Sequence, residues 1–248
     1  MGRQEERVWQ SLAEHAAVQE ENGVFQMDAA AAAEVLDLAQ HEDVPLYREV
    51  LESTVDYLQK RIRLGEEEFK ETYTAAFDRL AKRLVADAPQ KLMQLVEEAE
   101  TLKINDTTHR YHIAYYKGIA LAKSERYDEA LQTYDALLEQ KGLPTRLQAQ
   151  TLNARSIAYR LTGHLGDALA GYRQSLRLWR ELEDQLYEGV VLMNMGIVAY
   201  ELQNYEEAER YLIAAEGALE SVGPNPWLVG VYNELGLVYR DRGMWAES

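Results

Sequence analysis

Two histidines, His109 and His112, stand three residues apart where a helix is expected to begin, a spacing that can bring two imidazoles to one metal ion. No third ligand lies near them in the chain, so the spacing is read as structural and no metal is assigned. Carboxylates are abundant, in runs such as Glu66-Glu67-Glu68 and Glu97-Glu98. A catalytic pair needs two different environments to split its pKa values, and continuous acidic runs are solvated helix faces instead. The sequence has no cysteine, which removes disulfides, thiolate zinc sites and cysteine nucleophiles. No glycine-rich phosphate loop, nucleophile elbow or zinc-protease helix occurs in it. The expectation is a chain without catalytic residues, metal or cofactor. What remains is a set of side-chain amides, Asn153, Asn194 and Asn233. An amide both donates and accepts, so it can pair with an extended peptide backbone, or it can cap or solvate its own helix.

The elements that hold these residues are helices. Among 248 residues there are only five Pro and 15 Gly, and 47% are apolar, the make-up of a folded and strongly helical chain. The net charge of −16, from 26 basic against 42 acidic residues, repels a phosphate backbone and argues against nucleic acid as a partner. No apolar run reaches the length of a membrane span and the first residues lack a signal-peptide core, so a soluble protein, cytoplasmic by default, is expected.

From Tyr111 onward the sequence repeats. Tyr115-Tyr116-Lys117-Gly118-Ile119-Ala120-Leu121 leads to Tyr127-Asp128-Glu129-Ala130-Leu131, and Met193-Asn194-Met195-Gly196-Ile197-Val198-Ala199-Tyr200 leads to Tyr205-Glu206-Glu207-Ala208-Glu209. A looser copy starts at Asn153, and a fourth begins at Asn233. The small residues Gly118, Ser156, Gly196 and Gly236 recur at intervals of 38, 40 and 40. Each lets one helix approach the next closely, with Ala130, Ala168 or Ala208 doing the same from the partner helix. Tyr134, Tyr172 and either Tyr211 or Leu212 follow one turn later on the packing face. Sixteen Tyr stand against three Phe, and most of them, including Tyr127, Tyr159, Tyr205 and Tyr239, fall where such a unit wants a packing ring.

These residues resemble the tetratricopeptide repeat family, in a longer version of about 40 residues similar to the sensor arrays of bacterial signalling ATPases and to kinesin light chains. The resemblance implies an all-α, right-handed superhelical solenoid of helical hairpins, with a protein or peptide bound on its concave face. First-helix positions line that face in the family, which here implies Tyr115, Asn153, Ile157, Arg160, Asn194, Ile197, Tyr200, Asn233 and Arg240. Chaperone-binding members carry Lys and Asn where this chain has Tyr115 and Ile119, which argues against a heat-shock co-chaperone.

Upstream, punctuation places a helix from Arg3 to Glu21, broken by Asn22-Gly23, and a second capped by Asp28. A third runs from Pro45 to Leu64 with Gly65 as its stop; a fourth reaches about Leu84, and Pro89 opens a fifth to Leu102. Residues 1–72 read as a helical subdomain or linker, 73–110 as a possible degenerate repeat, and 111–248 as the array with its last repeat truncated. That reading expects the helix beginning near Pro226 to expose Leu235, Val238 and Tyr239, and the chain to be one piece of a longer protein with a covalently attached effector domain. The expected role is the ligand-sensing region of such a signalling protein, or alternatively a passive scaffold or assembly adaptor.

Overall fold

A computed structural model describes residues 19–21, 24–26, 44–102 and 104–243. The first described segments correct the sequence reading. Gln19–Glu21 (β1) is a strand, not the end of a helix, and pairs antiparallel with Val24–Gln26 (β2) in the register Gln19 to Gln26 and Glu21 to Val24. The Asn22-Gly23 pair read as a helix stop is equally the dipeptide that tight hairpins favour. The helix expected after Asp28 lies outside the described residues, as does 244–248. All other described elements are helical.

The described chain divides into two compact units between Ala120 and Leu121. In the first, α1 (Val44–Arg63) packs on α2 (Lys70–Asp87), a short 3-10 turn at Glu67–Phe69 lies between them, and α3 (Pro89–Glu100) follows. Gly65 takes φ +91° just past α1, and Pro89 occupies the first turn of α3, as the sequence predicts. The helix α4 (Thr107–Lys123) carries both histidines. Asp106 caps its start, accepting from the His109 backbone N–H at 2.6 Å. The two rings then go to different places. His109 is buried between Tyr73 and Phe77, with ring centroids 5.4 and 5.6 Å away, and its Nδ1 lies 3.2 Å from the Thr74 hydroxyl. His112 meets Asp78 at 3.0 Å, beside the Tyr116 hydroxyl at 2.8 Å and Lys82 at 2.6 Å. Burial pushes the Asp78 carboxyl up, but these three donors outweigh it and hold it at about 2.

The second unit is a run of helical hairpins: α5 (Tyr127–Leu138), α6 (Thr145–Leu161), α7 (Leu165–Glu181), α8 (Gln185–Glu201), α9 (Tyr205–Ser221) and α10 (Trp227–Asp241). The strongest packing joins α6 to α7 and α8 to α9. The reason lies in the small residues. A Cβ placed on Gly196 would stand 2.7 Å from Leu212 Cγ and 3.4 Å from the Ala208 carbonyl oxygen, so the helix backbone itself occupies the contact. At the α6–α7 crossing the hydroxyl of Ser156 folds back onto the Leu152 carbonyl at 2.7 Å, and a glycine, Gly171, stands opposite it. Of the two residues expected on the α9 packing face, Leu212 is buried and Tyr211 half-buried. Each small residue is followed seven positions later by a turn residue in the left-handed region: Glu125, Gly163, Gln203 and Gly243, with φ between +60° and +81°. Of Leu235, Val238 and Tyr239 of α10, expected on the surface, the first two are buried and Tyr239 is half-buried, because they pack into the core shared with α8 and α9 rather than outward. The exposed side of α10 carries Val229 and Tyr232.

Two predictions follow from the packing. Gly196 and Gly236 occupy the same repeat position, but nothing lies within 4 Å of a Cβ at Gly236. Gly196→Ala is therefore expected to destabilise by about 1–3 kcal/mol, whereas Gly236→Ala is expected to stabilise by about 0.5–1 kcal/mol through helix propensity; urea melts that place both changes on the same side of zero would contradict the crossing. The second concerns acid. Burial holds the His109 imidazole at about 4, below its ordinary 6.5, with Asp106 drawing it up and His112 pushing it down. The unfolded chain takes up this proton below about 6.5 and the folded one only near 4, so stability is lost as pH falls across that window. Hydrogen exchange in α2 and α4 should show on the order of 2 kcal/mol more loss between pH 7 and 4 in the native chain than in His109→Phe.

Candidate functional site

The first helices of successive hairpins in the second unit, α6, α8 and α10, are joined by polar links. The Asn194 amide donates to the Asn153 side-chain oxygen at 3.2 Å. Two turns on, Arg160 meets Glu201 at 2.6 Å. The Tyr200 hydroxyl donates to Asp241 at 2.6 Å, and Arg240 reaches both Asp241, at 2.6 Å, and the Tyr200 oxygen, at 3.4 Å. Three of these links span 41 residues each. With a repeat of 40, that offset joins the trailing side of one first helix to the leading side of the next. At the other end of α6, Arg146 pairs with Asp184 at 2.7 Å and lies 5.2 Å over the Trp179 ring, which stacks on Tyr187 at 4.4 Å. Asp184 also caps α8 by accepting from the Tyr187 backbone N–H.

The structure thus brings most of the expected binding residues together but gives several of them partners. Asn153, Arg160, Asn194 and Tyr200 lie at the seams between first helices, half-buried and engaged with one another or with acids. Ile157 and Ile197 are half-buried and packed against the second core. Asn233 is exposed, and no other described residue hydrogen-bonds its side chain. Tyr115 belongs to the first unit, where its ring meets Tyr116 edge-on at 5.1 Å. Sequence reasoning missed the acids Glu201, Glu234 and Asp241. The signal was available: each pairs with, or stands near, a first-helix residue one repeat earlier. Glu234 has no hydrogen bond or ion pair to a described residue. Burial pushes its carboxyl above the ordinary value, Arg160 draws it down, and Glu201 pushes it up again. The face therefore offers amides, two arginines already paired, Arg160 and Arg240, and a half-buried carboxyl at Glu234.

No model of a known protein family matches the sequence, and no curated protein matches it. Solved structures do. A Rap protein complexed with competence and sporulation factor superposes with a TM-score of 0.67 over 98% of this chain and 67% of its own, at 15% identity. A putative kinesin light chain from Podosopora anserina with nearly identical TPR-like repeats matches 70% of this chain and 88% of its own, with a TM-score of 0.52 and 16% identity. The chain has the tetratricopeptide-type fold. A tetratricopeptide repeat sensor also occurs in a Signal Transduction ATPase with Numerous Domains from Pyrococcus horikoshii. That protein matches 94% of this chain and 33% of its own, with a TM-score of 0.55 and 16% identity. At these identities the likeness is one of fold. Within the tetratricopeptide-type stack, the Tyr172 and Leu212 positions are the buried packing positions and the seam residues lie on the first helices.

Removing the Arg160 charge leaves Glu234 with burial and Glu201 alone, both of which disfavour its ionised form. In Arg160→Gln the Glu234 carboxyl should titrate at higher pH than in the native chain, read by side-chain NMR. An unchanged titration would mean that Arg160 does not face Glu234.

Proposed function

We propose that the chain is a tetratricopeptide-type binding module that holds a protein or peptide against its first-helix face, through Asn153, Arg160, Asn194, Tyr200, Asn233 and Arg240 with Ile157 and Ile197 beside them. The observation that carries this reading is the line of amide, arginine and carboxyl groups along α6, α8 and α10, half-buried at the seams and exposed at Asn233 and Arg240. Amides suit an extended backbone of any sequence, and the half-buried Glu234 suits a ligand that brings a positive group. The Rap protein complexed with a factor and the ATPase with a repeat sensor support a sensing role. On this reading the module reports occupancy to an effector domain of a larger signalling protein in the cytoplasm. A scaffold role is the second reading, favoured by the engagement of Asn153, Arg160 and Tyr200 in links that stiffen the face.

A displayed peptide library panned against the whole chain provides the test. Peptides enriched on the native protein should lose affinity about tenfold or more on an Asn194→Ala, Asn233→Ala chain whose melting temperature has barely moved. They should bind Arg173→Ala, changed on the exposed side of α7, as before. Peptides indifferent to the first pair and sensitive to the second would move the site to the outer face. Hydrogen exchange with a bound peptide then separates the two roles: a sensor alters exchange beyond the second unit, and a scaffold only on α6, α8 and α10.

A further inference from the structure

The second helices of successive hairpins leave one set of positions free of packing, and a single repeat fills that set with arginine. On α7, Tyr172, Ser175 and Trp179 are buried, while Arg173, Arg177 and Arg180 lie exposed along another face of the helix. With Tyr134, Tyr172 and Leu212 taken as equivalent, the same positions hold Asp135, Glu139 and Gly142 in the preceding hairpin and Ile213, Gly217 and Glu220 on α9. Hairpin packing therefore does not require arginine there. The three arginines and Glu181 surround a cavity of about 510 Å3, and Leu176 is its apolar lining residue. Glu188 accepts from Arg180 Nε at 2.7 Å, and Glu181 stands 4.0 Å from Arg177 Nε. Arg173 has no hydrogen bond or ion pair to another described residue. Among the described residues, most of the N–H donors of this trio meet no acceptor.

We propose that this cavity on α7 seats a phosphorylated side chain on an extended segment of a partner protein. Guanidinium forks match phosphate oxygens in pairs, and residues four apart on a helix can bring two forks to one ligand. A carboxylate is met fully by one fork. A phosphate dianion with three acceptor oxygens uses Arg173 and Arg177 together, with Arg180 beside them. Leu176 takes an apolar residue next to the phosphorylated one. The charge of the whole chain decides between sources of phosphate. A nucleic acid or an anionic membrane extends far beyond three arginines and meets the field of a chain with net charge −16. A short segment with one phosphate places its charge at the arginines and little elsewhere. The site is separate from the first-helix face, because it lies on a second helix and its occupancy asks nothing of Asn153, Asn194 or Asn233.

The probe is a short fluorescein-labelled peptide, uncharged except for one phosphoserine with a leucine beside it, titrated into the full chain and followed by anisotropy. It is expected to bind, and the same peptide with serine or aspartate in place of phosphoserine to bind about tenfold more weakly or worse. A chain carrying Arg173→Ala and Arg177→Ala should lose a similar factor while its melting temperature stays put, since both side chains are exposed. Arg173→Lys with Arg177→Lys should retain only part of the binding, because an ammonium keeps the charge and lacks the fork. The Asn194→Ala, Asn233→Ala chain should bind the phosphopeptide as the native chain does. A displayed library carries no phosphate, so the two sites are read apart. Equal affinity for the three peptides overturns the proposal, as does binding that is indifferent to the arginine changes or lost on the asparagine variant. Inorganic phosphate that displaces the peptide at the peptide's own concentration overturns it by giving the cavity to a free ion. Anionic lipid vesicles or single-stranded DNA that bind the native chain and not the double alanine variant, while the phosphopeptide fails, overturn it by giving the arginines to a membrane or a nucleic acid.

Discussion

The second unit depends on one contact, the approach of the α8 backbone at Gly196 to Leu212 and the Ala208 carbonyl on α9. Dispersion and burial act over short distances, so two helices that touch backbone to side chain gain more from each residue than two held apart by side chains. Once that distance is fixed, the other features follow. The partner helix must present Ala or Leu there, the chain must turn in a fixed number of residues, and the next first helix must arrive about 40 residues later. The left-handed turn residues, each seven positions after the small one, are the local expression of this constraint.

The first unit solves its packing differently. Its core is aromatic and centred on Tyr73, Phe77 and the buried His109, with a polar island at Asp78 where His112, Lys82 and Tyr116 converge. A desolvated imidazole among rings and a carboxylate saturated by donors are local solutions that no repeat requires. They give this unit its own response to acid, separate from anything in the hairpin stack.

The stack was legible in the sequence because Gly, Ala and Tyr at fixed spacing have few other uses, and the end of α1 and the start of α3 were legible because Gly65 and Pro89 act through backbone geometry. The β1–β2 hairpin was not, since Asn22-Gly23 stops a helix and turns a hairpin with equal ease. The site was legible only in part. Period analysis aligns equivalent positions, and by that measure Asn153, Met193 and Asn233 match. Contacts between neighbouring repeats follow a different offset, 41 rather than 40, and so Asn153 finds Asn194 and Arg160 finds Glu201. One residue of offset turns a free-looking amide into a bonded one. The burial of Leu235 and Val238 has the same origin, because the side of α10 that looks outward is set by α8 and α9 and not by hydrophobicity alone.

The seam pairs and the glycine crossings differ in stiffness. At the crossings between α6 and α7 and between α8 and α9, contact is short-ranged and has no slack, so each crossing acts as a pivot. The links Asn153–Asn194, Arg160–Glu201 and Tyr200–Asp241 join the tips of side chains, which tolerate a change of angle by rotating before they break. Rigid pivots in series with compliant ties make a spring whose bending is shared among α6, α8 and α10. A force applied to one hairpin would then be shared as small rotations at the seams rather than concentrated at a crossing.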